Sequence, residues 1–439
     1  MCYILLVCFF LNVTNILAQD EYDIDSIDNK AQKFFDNKDW RGLIIYGERA
    51  IRNRLESYKL RYRLGIAYFA ERNYFKAIPN LEKANSISPD AETAEYLYYS
   101  YLLTGRDEDK NYIFYDLPKG IRKILKPFEN SFVDNVSAEY SKWFSNDNNK
   151  NKGIDLQLMG SLYGEQILNG DYNIFKFGLS QSPIRFLNVS YDYTYRRISK
   201  QKQQQFISGK ITDNYLQYHN QFYNRFEIRI ANGLSVSPAG HYISIRDSTF
   251  YPDYNNLVPV TLKKEDLRKN FILSLSVSKY FSIFNFVISG SISYLNKVHQ
   301  SQYGIAFKSY FFSKISFYTL NKLVLHNQEG LSNLIATQAI GGRFRKLMYE
   351  AHVSIGNMYN FNEQDGYLVY DDPDIIKYKF GAYLSYDFTN NLRAQISYNF
   401  QYRERLYLTY GVTKEHSGSR FKKVNYNINS LLMGLNFIF

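Results

Sequence analysis

The sequence predicts an α+β multidomain chain, a set of N-terminal α-helical repeats followed by an antiparallel transmembrane β-barrel of about 14 strands. Three observations predict it. Aromatic residues make up 18% of the 439 residues, with 42 Tyr and 33 Phe, which suits rings held half in lipid and half in water at two membrane interfaces. The apolar spacing is helical over residues 24–125 and alternates with a period of two from about Ser131 to Phe439. Many alternating segments run 11–14 residues, the length a tilted strand needs to cross a bilayer.

The N-terminus precedes both parts. Met1 to Ala18 is apolar and uncharged and ends in Ile16-Leu17-Ala18-Gln19, the outline of a secretory signal with a small residue at the cut. It lacks the usual Lys or Arg before the apolar core, so an uncleaved anchor or a different start is the alternative to removal of 1–18. The two cysteines, Cys2 and Cys8, lie inside it, so the mature chain is expected to have no disulfide or thiol chemistry. Leu5-Leu6-Val7-Cys8 is a poor lipidation box, since Val7 is bulky and the box comes early. The net charge of +11 suits nucleic acid or anionic lipid and lipopolysaccharide. Secretion excludes nucleic acid and leaves outer-membrane lipid and lipopolysaccharide as expected partners.

In the helical part (24–125), Leu64, Gly65, Tyr68, Tyr74, Ala77, Leu81, Ala84 and Pro89 fall at the positions of a tetratricopeptide repeat. The small residues let two antiparallel helices approach, the large ones fill the seam, and Pro89 ends the second helix. One repeat length upstream, Ala31, Phe34, Trp40, Leu43 and Ala50 occupy equivalent sites. A weaker third unit begins near Ala91 and includes Tyr98 and Leu102. Such repeats present a groove for a peptide or protein tail; the alternative is a spacer or cap.

In the strand-rich part (131–439), Leu392, Ala394, Ile396, Tyr398, Phe400 and Tyr402 share one face. Arg393, Gln395, Ser397, Asn399 and Gln401 share the other, continued by Arg403 and Arg405. In 375–387 the apolar face is Ile376, Tyr378, Phe380, Ala382, Leu384 and Tyr386. Strands are expected near 131–144, 171–181, 186–199, 215–230, 234–247, 268–280, 284–297, 301–312, 315–326, 331–342, 347–359, 375–387, 392–409 and 424–439, with 154–166 as the alternative first strand. Short turns are expected near Ser182–Arg185, Ala231–Gly233, Phe281–Ser282, Ser313–Lys314, Arg343–Lys346 and Thr389–Asn391. Longer links are expected at 145–170, 200–214, 248–267, 360–374 and 410–423. Short periplasmic turns and longer outer loops are the asymmetry of outer-membrane barrels, and an even strand count puts both barrel ends in the periplasm with the repeats. Leu435, Phe437 and Phe439 resemble the terminal signal read by the barrel-assembly machinery.

The chain resembles tetratricopeptide-repeat outer-membrane barrel proteins and, more loosely, the YaiO family. The resemblance rests on Leu64-Gly65 through Pro89, Phe177-Gly178-Leu179-Ser180, Asn232-Gly233-Leu234 running into Ser237-Pro238-Ala239, His241-Tyr242 and the Phe439 end. It implies an outer-membrane location and a barrel fold, and none of its motifs is catalytic.

If the apolar faces meet lipid, the polar faces line a lumen. Arg225, Glu227, Arg229, Glu350, His352, Lys377, Lys379, Asp387, Arg393, Arg403 and Arg405 are the candidate lumen residues. They either form a salt-bridge network that fills the barrel or line a channel whose Arg and Lys excess favours anions. Glu350, His352 and Ser354 share a face, but neighbours two residues apart on a strand sit about 7 Å apart, too far for the direct hydrogen bonds of a triad. No catalytic residues are therefore expected and the protein is read as non-enzymatic. His219, His241, His299, His326, His352 and His416 lack ligand spacing, and no phosphate-cradling Gly loop occurs, so no metal or cofactor is expected. Asp371-Asp372-Pro373-Asp374 reads as a solvated outer turn rather than a Ca²⁺ site. Lys200 to Gln205 reads as a solvated loop, with contact to lipopolysaccharide phosphates as the sharper alternative. The leading expectation is a barrel that anchors repeats binding a periplasmic protein partner; the alternative is a channel for small polar or anionic solutes, with a lipid hydrolase remote.

Overall fold

The computed structural model describes residues 24–125, 133–145, 163–206, 209–253, 260–312, 315–371, 374–412 and 417–439. The expected signal with Cys2 and Cys8, the turn Ser313–Lys314 and the pair Asp372-Pro373 lie outside them. The chain divides into two units, residues 1–106 and 107–439.

The first unit holds five helices, α1 (Ile24–Asp36), α2 (Trp40–Arg52), α3 (Tyr58–Ala70), α4 (Tyr74–Ile87) and α5 (Ala91–Thr104). Side-chain caps start four of them. Asp39, Ser57, Asn73 and Asp90 accept hydrogen bonds from the amides of Gly42, Leu60, Lys76 and Thr93, satisfying donors a helix start leaves open. Asp39 and Asn73 lie 34 positions apart and Ser57 and Asp90 lie 33 apart. Leu64, Ala77, Leu81 and Ala84 are fully buried and Tyr68 nearly so. A Cβ on Gly65 would stand 2.5 Å from the Leu81 side chain, which fixes how closely α3 and α4 approach. Tyr74 packs edge-on against Phe69 at 5.2 Å. Pro89 is exposed just beyond the end of α4.

Burial alone would push the Asp90 carboxyl up. Hydrogen bonds from the Thr93 hydroxyl and amide and from the Tyr58 hydroxyl outweigh it and hold the carboxyl below its ordinary value. A folded pKa below the unfolded one gives stabilisation that is present above the ordinary carboxylate pKa and lost as pH falls through it. The melting temperature of the helical circular-dichroism signal is therefore expected to fall as pH drops from about 5 toward 3. The fall should be smaller in Asp90→Asn, which keeps a cap without the charge; an equal fall in both proteins would assign it to other groups.

The second unit begins with α6 (Asp107–Phe114) and α7 (Lys119–Leu125). The boundary at Arg106 and Asp107 differs from the expected one near 125–131, because α6 is held by barrel residues. The barrel has fourteen strands: β1 (Asn135–Phe144), β2 (Tyr163–Ile184), β3 (Leu187–Phe206), β4 (Gly209–Ala231), β5 (Leu234–Asp253), β6 (Val260–Phe281), β7 (Phe284–Leu295), β8 (Val298–Phe311), β9 (Phe317–Gln328), β10 (Leu331–Phe344), β11 (Leu347–Met358), β14 (Ile375–Asp387), β15 (Leu392–Val412) and β16 (Ser417–Ile438). Short β12 (Phe361–Glu363) and β13 (Leu368–Tyr370) pair with each other inside the β11–β14 connection. Every barrel neighbour is antiparallel, and β1 closes the ring on β16 from Asn135 opposite Ile438 to Phe144 opposite Asn429. Closure pairs the first and last strands, which in an open sheet would be edges.

The described part of 154–166, from Tyr163, belongs to β2, so the first strand is β1. The links expected at 200–214, 248–267 and 410–423 are largely strand, since the β3–β4, β5–β6 and β15–β16 hairpins run on in register. Backbone pairing needs no apolar face, so these hairpins persist where the lipid-facing alternation stops. The opposite end keeps tight turns. At Asn232-Gly233 the glycine takes φ 64°, the left-handed geometry of a two-residue hairpin turn.

The outer surface is apolar. Leu273, Ile288, Ile305, Leu334, Ile355 and Phe380 are among the exposed large side chains. Leu435 and Phe437 project outward on β16, and the Phe439 amide donates to the Asp134 carbonyl at 2.9 Å. Ile376 departs from its expected outward face. A register shift between Ile376 and Tyr378 turns it inward, where it is 1% exposed.

Candidate functional site in the barrel lumen

The polar alternate faces of the strands point inward, and they are not uniform. Ser235 and Ser237 of β5, Ser274 and Ser276 of β6, and Ser289 and Ser291 of β7 give one wall short hydroxyl side chains. The remaining wall carries most of the charge. Lumen residues expected from the sequence form ion pairs. Arg225 lies 2.8 Å from Glu227, and Asp387 bridges Arg343 at 2.6 Å and Arg393 at 2.5 Å. Lys377 departs from its expected lumen face: at the register shift after Ile376 it pairs at 3.5 Å with Glu404, on the β15 face shared by Tyr402 and Leu406, while Arg403 on the inward face hydrogen-bonds Gln401 at 2.7 Å.

What the sequence reading missed is an occupant. The β11–β14 connection, expected as an outer loop, folds into the lumen as the β12–β13 hairpin. Its tip, Gln364 to Gly366, takes three successive positive φ values. Ser274 donates its hydroxyl to the Asp365 carbonyl at 2.6 Å, and Ser276 donates to the Asp365 carboxylate at 3.1 Å. Arg225 stands 3.5 Å from that carboxylate. His241 Nδ1 lies 2.7 Å from the Gly366 carbonyl. Asn362 pairs with Ser291 at 3.3 Å. On the far side, Glu363 pairs with Lys379, and Tyr370 donates to Glu363 at 3.1 Å. Lys176 of β2 stands 4.2 Å over the Tyr367 ring. The hairpin thus touches β2, β4, β5, β6, β7 and β14, which lie around the whole ring.

The base of the hairpin has a different chemistry. Phe361 and Tyr370 are buried with Val324, Ile335, Met358 and Ile376, and Val369 packs on Ile243, Ile245, Ile272 and Leu295. These inward apolar residues break the rule that lumen faces are polar. They were a usable signal: Ile243 and Ile245 continue the same face as Ser237 and His241. Asp371, expected in a solvated turn, is buried. Arg196 donates to it at 2.9 Å and His219 lies 3.2 Å away. Asp374 is likewise buried against Arg405 at 2.7–2.8 Å and the Tyr426 hydroxyl. A carboxylate taken out of water needs such partners, and here the barrel wall supplies them.

The stretch Lys200 to Gln205 also departs from expectation. It is strand, with Lys202, Gln203, Gln204 and Gln205 buried. Lys202 donates to the Phe250 carbonyl at 3.1 Å and pairs with Glu165 at 3.1 Å, so the neighbouring strands β5 and β2 receive this ammonium.

At the short-turn end, α6 meets the β2–β3 and β4–β5 turns. Arg229 donates to Asp109 at 2.6 Å, and the Gly233 amide donates to the same carboxylate at 3.0 Å. The Tyr112 ring lies between the guanidinium groups of Arg185 at 3.8 Å and Arg229 at 3.9 Å. Asp109→Ala leaves the buried Arg229 without its carboxylate, a loss of about 3 kcal/mol. The expected result is exchange of the Gly233 amide hydrogen roughly 100-fold faster, because local opening governs exchange; unchanged exchange would show that α6 is held by Tyr112 alone.

Glu350, His352 and Ser354 do not come together. Glu350 accepts from Tyr318 at 2.6 Å and Ser354 pairs with Thr337 at 2.9 Å. Added ester substrate is expected to be hydrolysed at the background rate by both the wild type and His352→Ala; a loss of activity on substitution would revive a hydrolytic role. Among the described residues, no group of three or more His, Cys, Asp or Glu is placed to hold a metal ion.

No family model matches the chain, and no curated protein matches it. Solved structures similar to it include a Pseudomonas aeruginosa FadL homologue, 8% identical with TM-score 0.40, covering 70% of this chain and 90% of that one. Another is the Acinetobacter baumannii outer membrane protein Omp33, 6% identical with TM-score 0.35, covering 70% and 99%. The translocator domain of the autotransporter NalP from Neisseria meningitidis is 8% identical with TM-score 0.32, covering 73% and 95%. These likenesses concern the fold alone.

Proposed function

We propose that the protein is an outer-membrane channel for small polar solutes, closed in this conformation by the β12–β13 hairpin. The observation that carries this reading is how the lumen is filled. Barrels of about eight strands are packed by their own wall side chains. Here fourteen strands enclose a wider space, and a separate segment occupies it, touching the serine wall through single hydrogen bonds and β4 and β14 through ion pairs. Membrane placement follows from the outer belt, since a ring of exposed Leu, Ile and Phe of this extent is unfavourable in water at about 25 cal/mol per Å². The loop asymmetry supports a periplasmic position for the short-turn end.

The test compares the refolded whole chain with a variant in which residues 361–370 are replaced by a short Gly-Ser link, both in planar bilayers. The whole chain should be silent or nearly so, and the variant should conduct steadily. Silence from both, with barrel folding shown by a heat-dependent gel shift, would leave a filled barrel and sink the channel reading. Equal conductance would keep the channel and remove the hairpin as its closure.

The anchor-and-partner reading is second. It is favoured by the cap and core spacing of α1 to α5, which suits a tetratricopeptide stack placed in the periplasm. A pull-down from envelope extract in which every captured protein is retained after deletion of 24–106 would count against it.

A further inference from the structure

The in-turned segment is acidic, and the wall residues that meet its carboxylates are basic. We propose that Glu363, Asp365 and Asp371 act as a built-in ligand, and that the channel's own substrate is a multiply charged anion, such as an oligomeric carboxylate, that takes their places. This inference rests on the channel reading above and names its substrate class.

Each of the three carboxylates meets a cation that belongs to the barrel and not to the segment: Lys379 for Glu363, Arg225 for Asp365, and Arg196 for Asp371, with the His219 ring 3.2 Å from the last. The wall's own acids are placed differently. Glu227 lies against Arg225, Asp387 lies against both Arg343 and Arg393, Glu350 accepts from Tyr318, and Asp192 of β3 stands 3.5 Å from the Tyr367 hydroxyl of the segment. When the segment withdraws, Lys379 and Arg196 lose their carboxylates, and Arg225 keeps only Glu227. Lys322 also lines the cleft between the hairpin tip and the serine wall. The emptied lumen is then a track of cations beside short hydroxyl side chains, which donate hydrogen bonds to carboxylate oxygens as Ser274 and Ser276 now do to Asp365. A cation loses little by exchanging one carboxylate for another, so an anionic solute opens the path by substitution, whereas a neutral or cationic one has to strip the pairs unassisted. Asp374, next to β14, stays with Arg405 as the fixed end of the segment.

The test uses the full chain and the variant Glu363→Gln/Asp365→Asn/Asp371→Asn in planar bilayers under a salt gradient, with hexaglutamate and hexalysine as probes. The variant should conduct with an anion-selective reversal potential, and hexaglutamate should reduce its current at least tenfold more effectively than hexalysine. In the wild type, hexaglutamate should raise the frequency of opening. If the triple variant does not fold, the Gly-Ser replacement of 361–370 gives the same selectivity and block readout. Steady conductance without anion preference, or equal block by both peptides, would overturn the anionic substrate and leave the channel standing. Silence from both variants in a folded barrel would overturn the channel itself and this inference with it.

Discussion

Asp371→Ala is expected to free the base of the in-turned hairpin without unfolding the barrel. Asp371 and Arg196 are both buried, with His219 beside them. Removing one partner of a buried ion pair typically costs about 3–5 kcal/mol, because the remaining charge is left in a poor dielectric without compensation. The loss falls on the β11–β14 connection, which the fourteen-strand ladder does not need. The expected readouts are bursts of conductance where the wild type is silent, and protease cleavage within 361–371 under conditions that leave the wild type intact. The heat-dependent gel shift should persist. Asp371→Asn keeps hydrogen-bonding capacity without the charge and should give a smaller effect. An alanine variant as silent and as protease-resistant as wild type would mean that the apolar base, Phe361 and Tyr370 with Met358 and Ile376, holds the hairpin alone.

The second large effect is on the helical unit. Leu64 is fully buried in a cluster with Ile27, Ala31, Leu43, Ala50, Leu60 and Ala67, so it joins α1, α2 and α3. Leu64→Ala should cost about 2–5 kcal/mol from lost transfer energy and the cavity left behind. A unit of this size has a total stability of about 5–15 kcal/mol, so the loss is a large fraction. A fall in the helical melting temperature on the order of 15 °C is expected, followed by circular dichroism at 222 nm. The barrel's gel shift should not change, since Leu64 lies in the other compact unit. A fall below about 3 °C would mean that the neighbours collapse into the space and that the cluster is loosely packed.

Local periodicity carried the strands: Leu392 to Tyr402 alternates because one side of β15 faces outward and the other inward, and the observed strand keeps that pattern. The same periodicity misplaced Ile376, because a bulge opposite Arg403 breaks the two-residue period at one point. The hairpin was not visible. Glu363, Asp365 and Asp371 sit among Asn, Gly and Tyr, and a polar connection of this kind reads as solvated wherever its partners are far away in sequence. Those partners, Arg225, Arg196 and Lys379, were read only as lumen or strand residues. The α6 contact was hidden in the same way, since Asp109 finds Arg229 120 positions later.

The sequence by itself determined the division into an N-terminal helical part and a strand part, the even set of antiparallel strands and the division between an apolar and a polar strand face. These are near-neighbour properties, set by the 3.6 and 2.0 residue periods and by which side of an element can be buried. Tertiary structure alone decided that the lumen is occupied, by which segment and through which charges. Burying a carboxylate is unfavourable until a cation from a distant strand stands beside it, and only closure of the barrel brings the two together.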